Sequence, residues 1–265
     1  MRINNNVVAF NAFRNVTTTE TALGKSLEKL SSGFRINRAA DDAAGLVISQ
    51  KLRYTVSGMK VATRNAQDGV SVVQTAEGAL AEVHNILQRM RDLAVQSLNS
   101  AANDETAVSA AQAEVDALVS EIQRINDTTS FGGTKLLDGS YSEKLFQVGD
   151  TAGAVITVSV STLTSATFAS LTVNGTSSMA TIDTAIANVS AIRGKLGALQ
   201  NRFESTIANL TTTTENLSAS ESRIRDTDMA QEMVNFTRHQ VLLQAGTAML
   251  AQANQIPQAT LRLLQ

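Results

Sequence analysis

The sequence contains no cysteine, no tryptophan and a single proline, Pro257. Without cysteine no disulfide can form, so the redox compartment is left open and a secreted chain of this kind must be stabilised by other means. Disulfide formation and proline isomerisation are the slowest covalent steps of folding. Their near-absence suits a chain that must refold quickly, although a helix-rich composition also depletes proline. Aromatic residues make up 4% and charged residues 17% of the chain, the latter below the roughly 25% usual for soluble domains. A net charge of -2 gives no electrostatic case for binding nucleic acid or acidic lipid. It also leaves little repulsion between copies, so self-association is permitted.

Long apolar runs are missing too. Met1 to Asn15 lacks the continuous apolar core of a signal peptide. Gln240 to Leu261 is uncharged, but Gln240, Gln244, Gln252, Asn254, Gln255 and Gln258 interrupt it and Pro257 breaks it. A membrane span needs about 20 mostly apolar residues, so no membrane insertion is expected. This stretch reads as a helix buried among other protein.

What is present is helical periodicity. At 265 residues and 43% hydrophobic content the chain can hold one large domain or two ordinary ones with a packed core. From Ile182 an apolar residue recurs every seven: Val189, Leu196, Phe203, Leu210, Leu217 and Ile224. That segment predicts about 65 Å of helix at 1.5 Å per residue. The second seam position weakens from Ala185, Ile192 and Leu199 to Thr206, Thr213 and Ser220. A two-stranded coiled coil wants both positions apolar. The expected partners are therefore two N-terminal-half helices in an antiparallel bundle.

Those helices can be placed. Spacing from Val16 to Leu30 is helical, with Leu23, Leu27, Leu30 and then Phe34 as its stripe, and Ser31-Ser32-Gly33 breaks it. Asp41-Asp42 suits the orphan N–H groups of a first turn, starting a helix through Leu46, Leu80, Val83, Leu87 and Met90 toward Asn99. Asn103 or Asp104 caps a third, with Ala111, Val115, Leu118, Ile122 and Ile125 along it. Residues 127–180 are rich in Thr, Ser, Gly and Val, with turn signals at Phe131-Gly132-Gly133 and Asp138-Gly139. They read as hairpins and short strands.

A search for catalytic chemistry comes back nearly empty. His84 and His239 are the only histidines, and neither has a second His or Cys at ligand spacing. No phosphate-binding loop, dinucleotide fingerprint, nucleophile elbow or H-E-x-x-H motif occurs. Adjacent helical residues do not share a face, so Asp41 and Asp42 suit capping better than a metal. No cofactor is implied. The Asn-x-Ser/Thr triplets at Asn15, Asn174, Asn209 and Asn235 are chance matches, since no secretory signal precedes them. Hydroxyls between Thr151 and Ser178 could carry O-linked sugars, but such a composition is equally ordinary for strands and turns. Arg89, Arg91 and Arg124, with Asp92, Glu114 and Glu121 nearby, read as a mixed-charge helix face.

The ends carry a resemblance. Met1-Arg2-Ile3-Asn4-Asn5-Asn6, Leu30-Ser31-Ser32-Gly33-Phe34-Arg35-Ile36-Asn37 and Ala39-Ala40-Asp41-Asp42-Ala43-Ala44-Gly45-Leu46 resemble the N-terminal signature of bacterial flagellin. Ser222-Arg223-Ile224-Arg225-Asp226-Thr227-Asp228-Met229-Ala230 and Gln255-Ile256-Pro257-Gln258 resemble its C-terminal signature. The resemblance covers both ends in order. It implies a mainly α fold, a long antiparallel helical bundle or coiled-coil rod built from N- and C-terminal segments, with a small β-hairpin region in the middle. It implies a non-enzymatic subunit of the flagellar filament, of compact form without large inserted outer domains. A hook–filament junction protein shares such ends and is the alternative.

The resemblance also implies a division of labour. Residues 1–42 and 226–265 would form a terminal helical inner layer, and 43–225 a helical bundle carrying the β-rich segment 127–180. Leu23, Leu27, Leu30, Phe34, Met233, Phe236, Leu243 and Leu250 are the expected residues of terminal-helix packing and polymerisation. The terminal stripes are expected to be disordered or loosely helical before assembly. Implied partners are further copies of the chain, an export chaperone at the C-terminal helix, and the filament cap and hook–filament junction proteins. Leu87 to Ser97 resembles the segment read by the animal Toll-like receptor for flagellin, with Arg89, Leu93 and Glu114 at the matching positions. The implied location is outside the cell, in the filament, after export of the unfolded chain.

Overall fold

The computed structural model describes residues 6–99, 104–161 and 176–263, with backbone alone for 176–177 and 256–263. Five helices and four short strands follow one another among the described residues. They are α1 (Val7–Ser32), α2 (Ala43–Ser97), α3 (Glu105–Thr128), β1 (Ser130–Phe131), β2 (Thr134–Lys135), β3 (Lys144–Gln147), β4 (Val155–Val158), α4 (Thr176–Arg225) and α5 (Met229–Leu263). The mainly α architecture with small hairpins in the middle is the expected one. The chain divides into a terminal unit, Met1–Tyr54 with Asn216–Gln265, and a central unit, Thr55–Glu215.

The helix boundaries have local causes. α1 starts nine residues before the expected Val16, because the Asn6 side chain accepts a hydrogen bond from the Ala9 N–H at 3.1 Å. It ends on Gly33, whose φ of 74° is the left-handed conformation that closes a helix with little steric penalty. The expected Asp41-Asp42 start splits into two jobs. Asp42 accepts from the Gly45 N–H at 2.8 Å as the cap of α2. Asp41 turns back to accept from the Asn37 and Arg38 N–H groups, which lowers its pKa. A Cβ on Gly45 would lie 2.5 Å from the Asp42 carboxylate and 2.8 Å from the end of the Ile36 side chain, so a side chain there would force one of them to move. Asp104 caps α3 through the Ala107 N–H at 2.9 Å. Asp228 caps α5 through Ala230 and Gln231. Pro257, expected to break the last helical stretch, lies inside α5. It removes one N–H donor, which weakens the helix there without ending it.

In the central unit the antiparallel order of α2 and α4 is fixed by three cross-contacts. Arg91 pairs with Asp183 at 2.7 Å, Glu77 with Arg193 at 3.5 Å, and the Phe203 ring sits against Gly69. α3 runs back along α2, with Arg89 paired to Glu114 at 2.8 Å. Heptad positions of α2 (Ala66, Val73, Ala76, Leu80, Val83, Leu87, Met90) merge with Val115 and Ile122 of α3 and with Ile182, Val189, Leu196 and Phe203 of α4 in one buried core. Each fully buried large side chain contributes about 1.5–3 kcal/mol.

The β segment closes this core where α3 has ended. Gly132 and Gly133, both at positive φ, make the two-residue turn between β1 and β2. In the β3–β4 hairpin Phe146 pairs with Ile156, and Lys144 with Val158. Side chains alternate between faces along a strand. Ile156 and Val158 are accordingly buried, while Leu145 and Thr157 on the other face are exposed. Phe146 meets Phe203 edge-on at 5.6 Å. The Asn65 amide donates to the Gln147 carbonyl. The weak seam positions Thr206 and Thr213 lie beyond Phe203 on α4, and both are half-buried.

Candidate assembly surface

The terminal unit is built on a second helix pair. α1 and α5 run antiparallel: Asn6 donates to the Ala253 carbonyl at 2.8 Å, Val16 lies against Gly246, and Lys29 reaches Glu232 at 4.0 Å. Along α1 the covered positions include Ala9, Ala12, Val16, Thr19, Leu23, Ser26 and Leu30, with Ala22, Glu28 and Lys29 partly covered beside them. Along α5 they are Glu232, Phe236, His239, Leu243, Gly246, Leu250 and Ala253. Both sets alternate steps of three and four, the heptad seam of a coiled coil. The register of Val16 on Gly246 sets Ser26 opposite Phe236 and Ala12 opposite Leu250, so at these levels a small residue faces a large one, whereas Leu23 meets His239.

The turn regions at the end of this pair are tied together. Phe34 and Asp226 form an antiparallel bridge, with the Arg35 N–H donating to the Arg225 carbonyl and the Thr227 N–H to the Gly33 carbonyl at 3.0 Å. The Arg225 guanidinium lies 4.5 Å from the centre of the Phe34 ring, a cation–π contact. Arg35 also donates to the Ile224 carbonyl at 2.6 Å.

Away from the seam the same helices are apolar again. α1 exposes Val7, Val8, Phe10 and Phe13, the two phenylalanines at 67% and 62%. α5 exposes Met229, Met233, Val234, Val241, Leu242 and Met249. Met233, Val234, Thr237, Arg238, Val241 and Leu242 line an open groove of about 510 Å³ on α5. Phe10, Phe13, Thr17 and Thr21 line another, of about 360 Å³, on α1. A helix apolar on the seam and on the opposite face is one built to be buried all round. One partner helix covers only half of it.

The eight residues expected in terminal packing divide between these faces. Leu23, Leu30, Phe34, Phe236, Leu243 and Leu250 are half-buried, whereas Leu27 (54%) and Met233 (51%) stand exposed. Periodicity missed Phe10, Phe13, Val234, Val241, Leu242 and Met249. A search for one stripe per helix finds the seam and overlooks the second face. Of the receptor-matched positions, Arg89 and Glu114 form a surface ion pair at 2.8 Å. Leu93 is only 3% exposed, inside the central core. His84 meets Gln88 at 2.9 Å and His239 sits in the α1–α5 seam. Among the described residues no group of three His, Cys, Asp or Glu side chains could hold a metal. No described helix is long and apolar enough to cross a membrane.

The α1–α5 pair thus has one face satisfied and one uncovered. The profile of the bacterial flagellin N-terminal helical region matches residues 3–142, and that of the bacterial flagellin C-terminal helical region matches 179–264. A flagellin of Halalkalibacterium halodurans is 51% identical over 273 aligned positions, covering all of both chains. One from Bacillus subtilis is 43% identical, again over the whole of both chains. The crystal structure of Bacillus cereus flagellin superposes with a TM-score of 0.51 at 30% identity, covering 60% of this chain and 94% of that one. The chain belongs to the bacterial flagellin family, a family of structural proteins. Its role is that of a structural subunit of the extracellular flagellar filament.

Proposed function

We propose that the terminal helix pair is the polymerising element, and that assembly covers the outward faces of α1 and α5 with the same helices of neighbouring copies. The observation that carries this reading is the exposure of Phe10, Phe13, Val234, Val241 and Met249 at 55–67% on helices whose seam is already closed. Each such side chain contributes about 1 kcal/mol or more when its remaining surface leaves water. Summed over many subunits this holds a polymer without covalent links. In keeping with the family resemblance, residues 1–42 and 226–265 form the inner layer around the filament channel. Residues 43–225 form the outer bundle, with the β hairpins toward the surface, and the protein has no enzymatic role.

The same reading extends to export and partners. A chain without disulfides and with one proline has at most one slow isomerisation in refolding, which suits delivery in the unfolded state to the growing tip. An export chaperone covers the apolar α5 beforehand; the cap and hook–filament junction proteins meet the same terminal faces. Arg89 and Glu114 are the side chains open to an animal Toll-like receptor, with Leu93 supporting the helix beneath them. No observation on the fold favours the junction-protein alternative.

Purified full-length chain, seeded with filament fragments and followed by electron microscopy, tests the proposal. Long hollow filaments formed from this chain alone are the expected result. A chain that stays monomeric under seeding would overturn it.

A further inference from the structure

Oxidisable sulfur in this chain is confined to methionine, since cysteine is absent. The methionines divide sharply by position. Met90 is fully buried in the central core, and Met59 and Met179 are half-buried. Met229, Met233 and Met249, all on α5, are 47%, 51% and 65% exposed. Met233 lines the open groove with Val234, Val241 and Leu242, while Met229 and Met249 stand exposed nearer the two ends of the described helix.

We propose that Met229, Met233 and Met249 are an oxidation-sensitive site that governs whether a free subunit can join a filament. This rests on the assignment of α5 to the polymerising surface. The thioether sulfur is a soft nucleophile, and its reaction with peroxide follows exposure. The sulfur lone pair attacks one peroxide oxygen. The O–O bond breaks as the S–O bond forms, and the proton on the attacked oxygen passes to the departing hydroxide, which leaves as water. Sulfur is oxidised by two electrons and the peroxide is reduced by two. The sulfoxide oxygen is a strong hydrogen-bond acceptor in place of an apolar surface. Burying it against another apolar helix leaves it unpaired, so the oxidised subunit is rejected. A subunit already in the filament has these sulfurs covered and reacts slowly. The change is reversible, because methionine sulfoxide reductases restore the thioether.

The test uses the full-length chain. Monomer and preformed filaments are treated with dilute hydrogen peroxide, quenched, and digested for mass spectrometry of each methionine. In monomer, Met229, Met233 and Met249 should oxidise at least ten-fold faster than Met90; in filaments they should be protected at least ten-fold. Oxidised monomer should extend seeds at least ten-fold more slowly, and treatment with a sulfoxide reductase should restore extension. The triple variant M229L/M233L/M249L should extend seeds before peroxide and lose nothing after it. Undiminished extension by monomer carrying the three sulfoxides overturns the inference alone. Equal peroxide sensitivity of the triple variant does the same. Failure of untreated monomer to extend seeds brings down the assembly reading, and this inference with it.

Discussion

Across the α2–α4 seam of the central unit, heptad positions hold Leu80, Val83, Leu87 and Met90 on one side and Ile182, Val189 and Leu196 on the other, all buried. Across the α1–α5 seam of the terminal unit they hold Ala9, Ala12, Val16, Thr19, Leu23, Ser26 and Leu30, with Glu232, Phe236, His239, Leu243, Gly246, Leu250 and Ala253 opposite, most of them only half-buried. The spacing is the same and the side chains are not. The central unit places its large apolar residues inward and is completed by α3 and two hairpins. The terminal unit mixes small residues with Leu23, Leu30, Phe236, Leu243 and Leu250 in its seam, and no third helix or hairpin completes it among the described residues. Phe10, Phe13, Val234, Leu242 and Met249 are left outside. A heptad seam brings two helices together in both cases. Whether the result is a finished core or a surface for assembly depends on what occupies the remaining faces.

Removing residues 1–42 and 226–265 should break this contrast most completely. Seeded polymerisation should disappear while circular dichroism still reports a cooperatively melting helical core. An unfolded remainder would show that the central unit does not stand alone. Next in size, Phe203→Ala removes a ring that packs on Gly69 and Phe146 and should destabilise the central unit by about 3–5 kcal/mol in denaturant. The double change Phe10→Ala with Phe13→Ala should move monomer stability by less than about 0.5 kcal/mol, since both side chains are exposed, yet strongly slow seed extension. If the two variants had the reverse effects, the assignment of the two faces would be wrong.

A smaller change tests the junction before α2. Gly45→Ala places a methyl group against the Asp42 carboxylate and Ile36. Disrupting that cap should cost about 1–2 kcal/mol, read as a lower melting temperature. No change on melting would mean that the cap shifts at no cost. The smallest effect is that of acid. Asp41, Asp104, Glu121 and Asp138 all have pKa values held below the ordinary carboxylate range. The Arg38 N–H does most of this for Asp41, the hydroxyls of Thr106 and Ser140 for Asp104 and Asp138, and the Arg124 guanidinium for Glu121. A lowered folded value means that their contribution is whole above the unfolded value of about 4 and fades as pH falls through the lower folded one. Melting temperature should therefore decline below about pH 4. In Asp104→Asn, which keeps a cap oxygen without the titrating proton, the decline should be shallower. An identical pH profile in that variant would remove Asp104 from the explanation.

Much of this was legible before folding because it is local. The α3 cap at Asp104, the Gly132-Gly133 turn and the heptads from Ile182 depend on residues a few positions apart. The start of α1 was missed because Asn6 is a cap without an apolar run behind it that stands out from Val7 onward. Pro257 misled for a related reason: a single missing donor weakens a long helix without ending it. The outward faces were the larger omission. A helix apolar on two sides has no clear stripe, so periodicity reports the seam or nothing. Leu93 shows the same limit from another side, since a segment resemblance cannot say that its leucine points inward while Arg89 and Glu114 point out.

The sequence by itself determined most of the helices and the turns, because caps, glycine turns and heptad spacing act over short stretches of chain, and its terminal segments carried the family resemblance. Only the tertiary structure decided which apolar residues are satisfied. Exposure depends on the register between α1 and α5, set by contacts between residues as distant as Asn6 and Ala253. That register covers one face of each helix and leaves Phe10, Phe13, Val234, Val241 and Met249 exposed on the other.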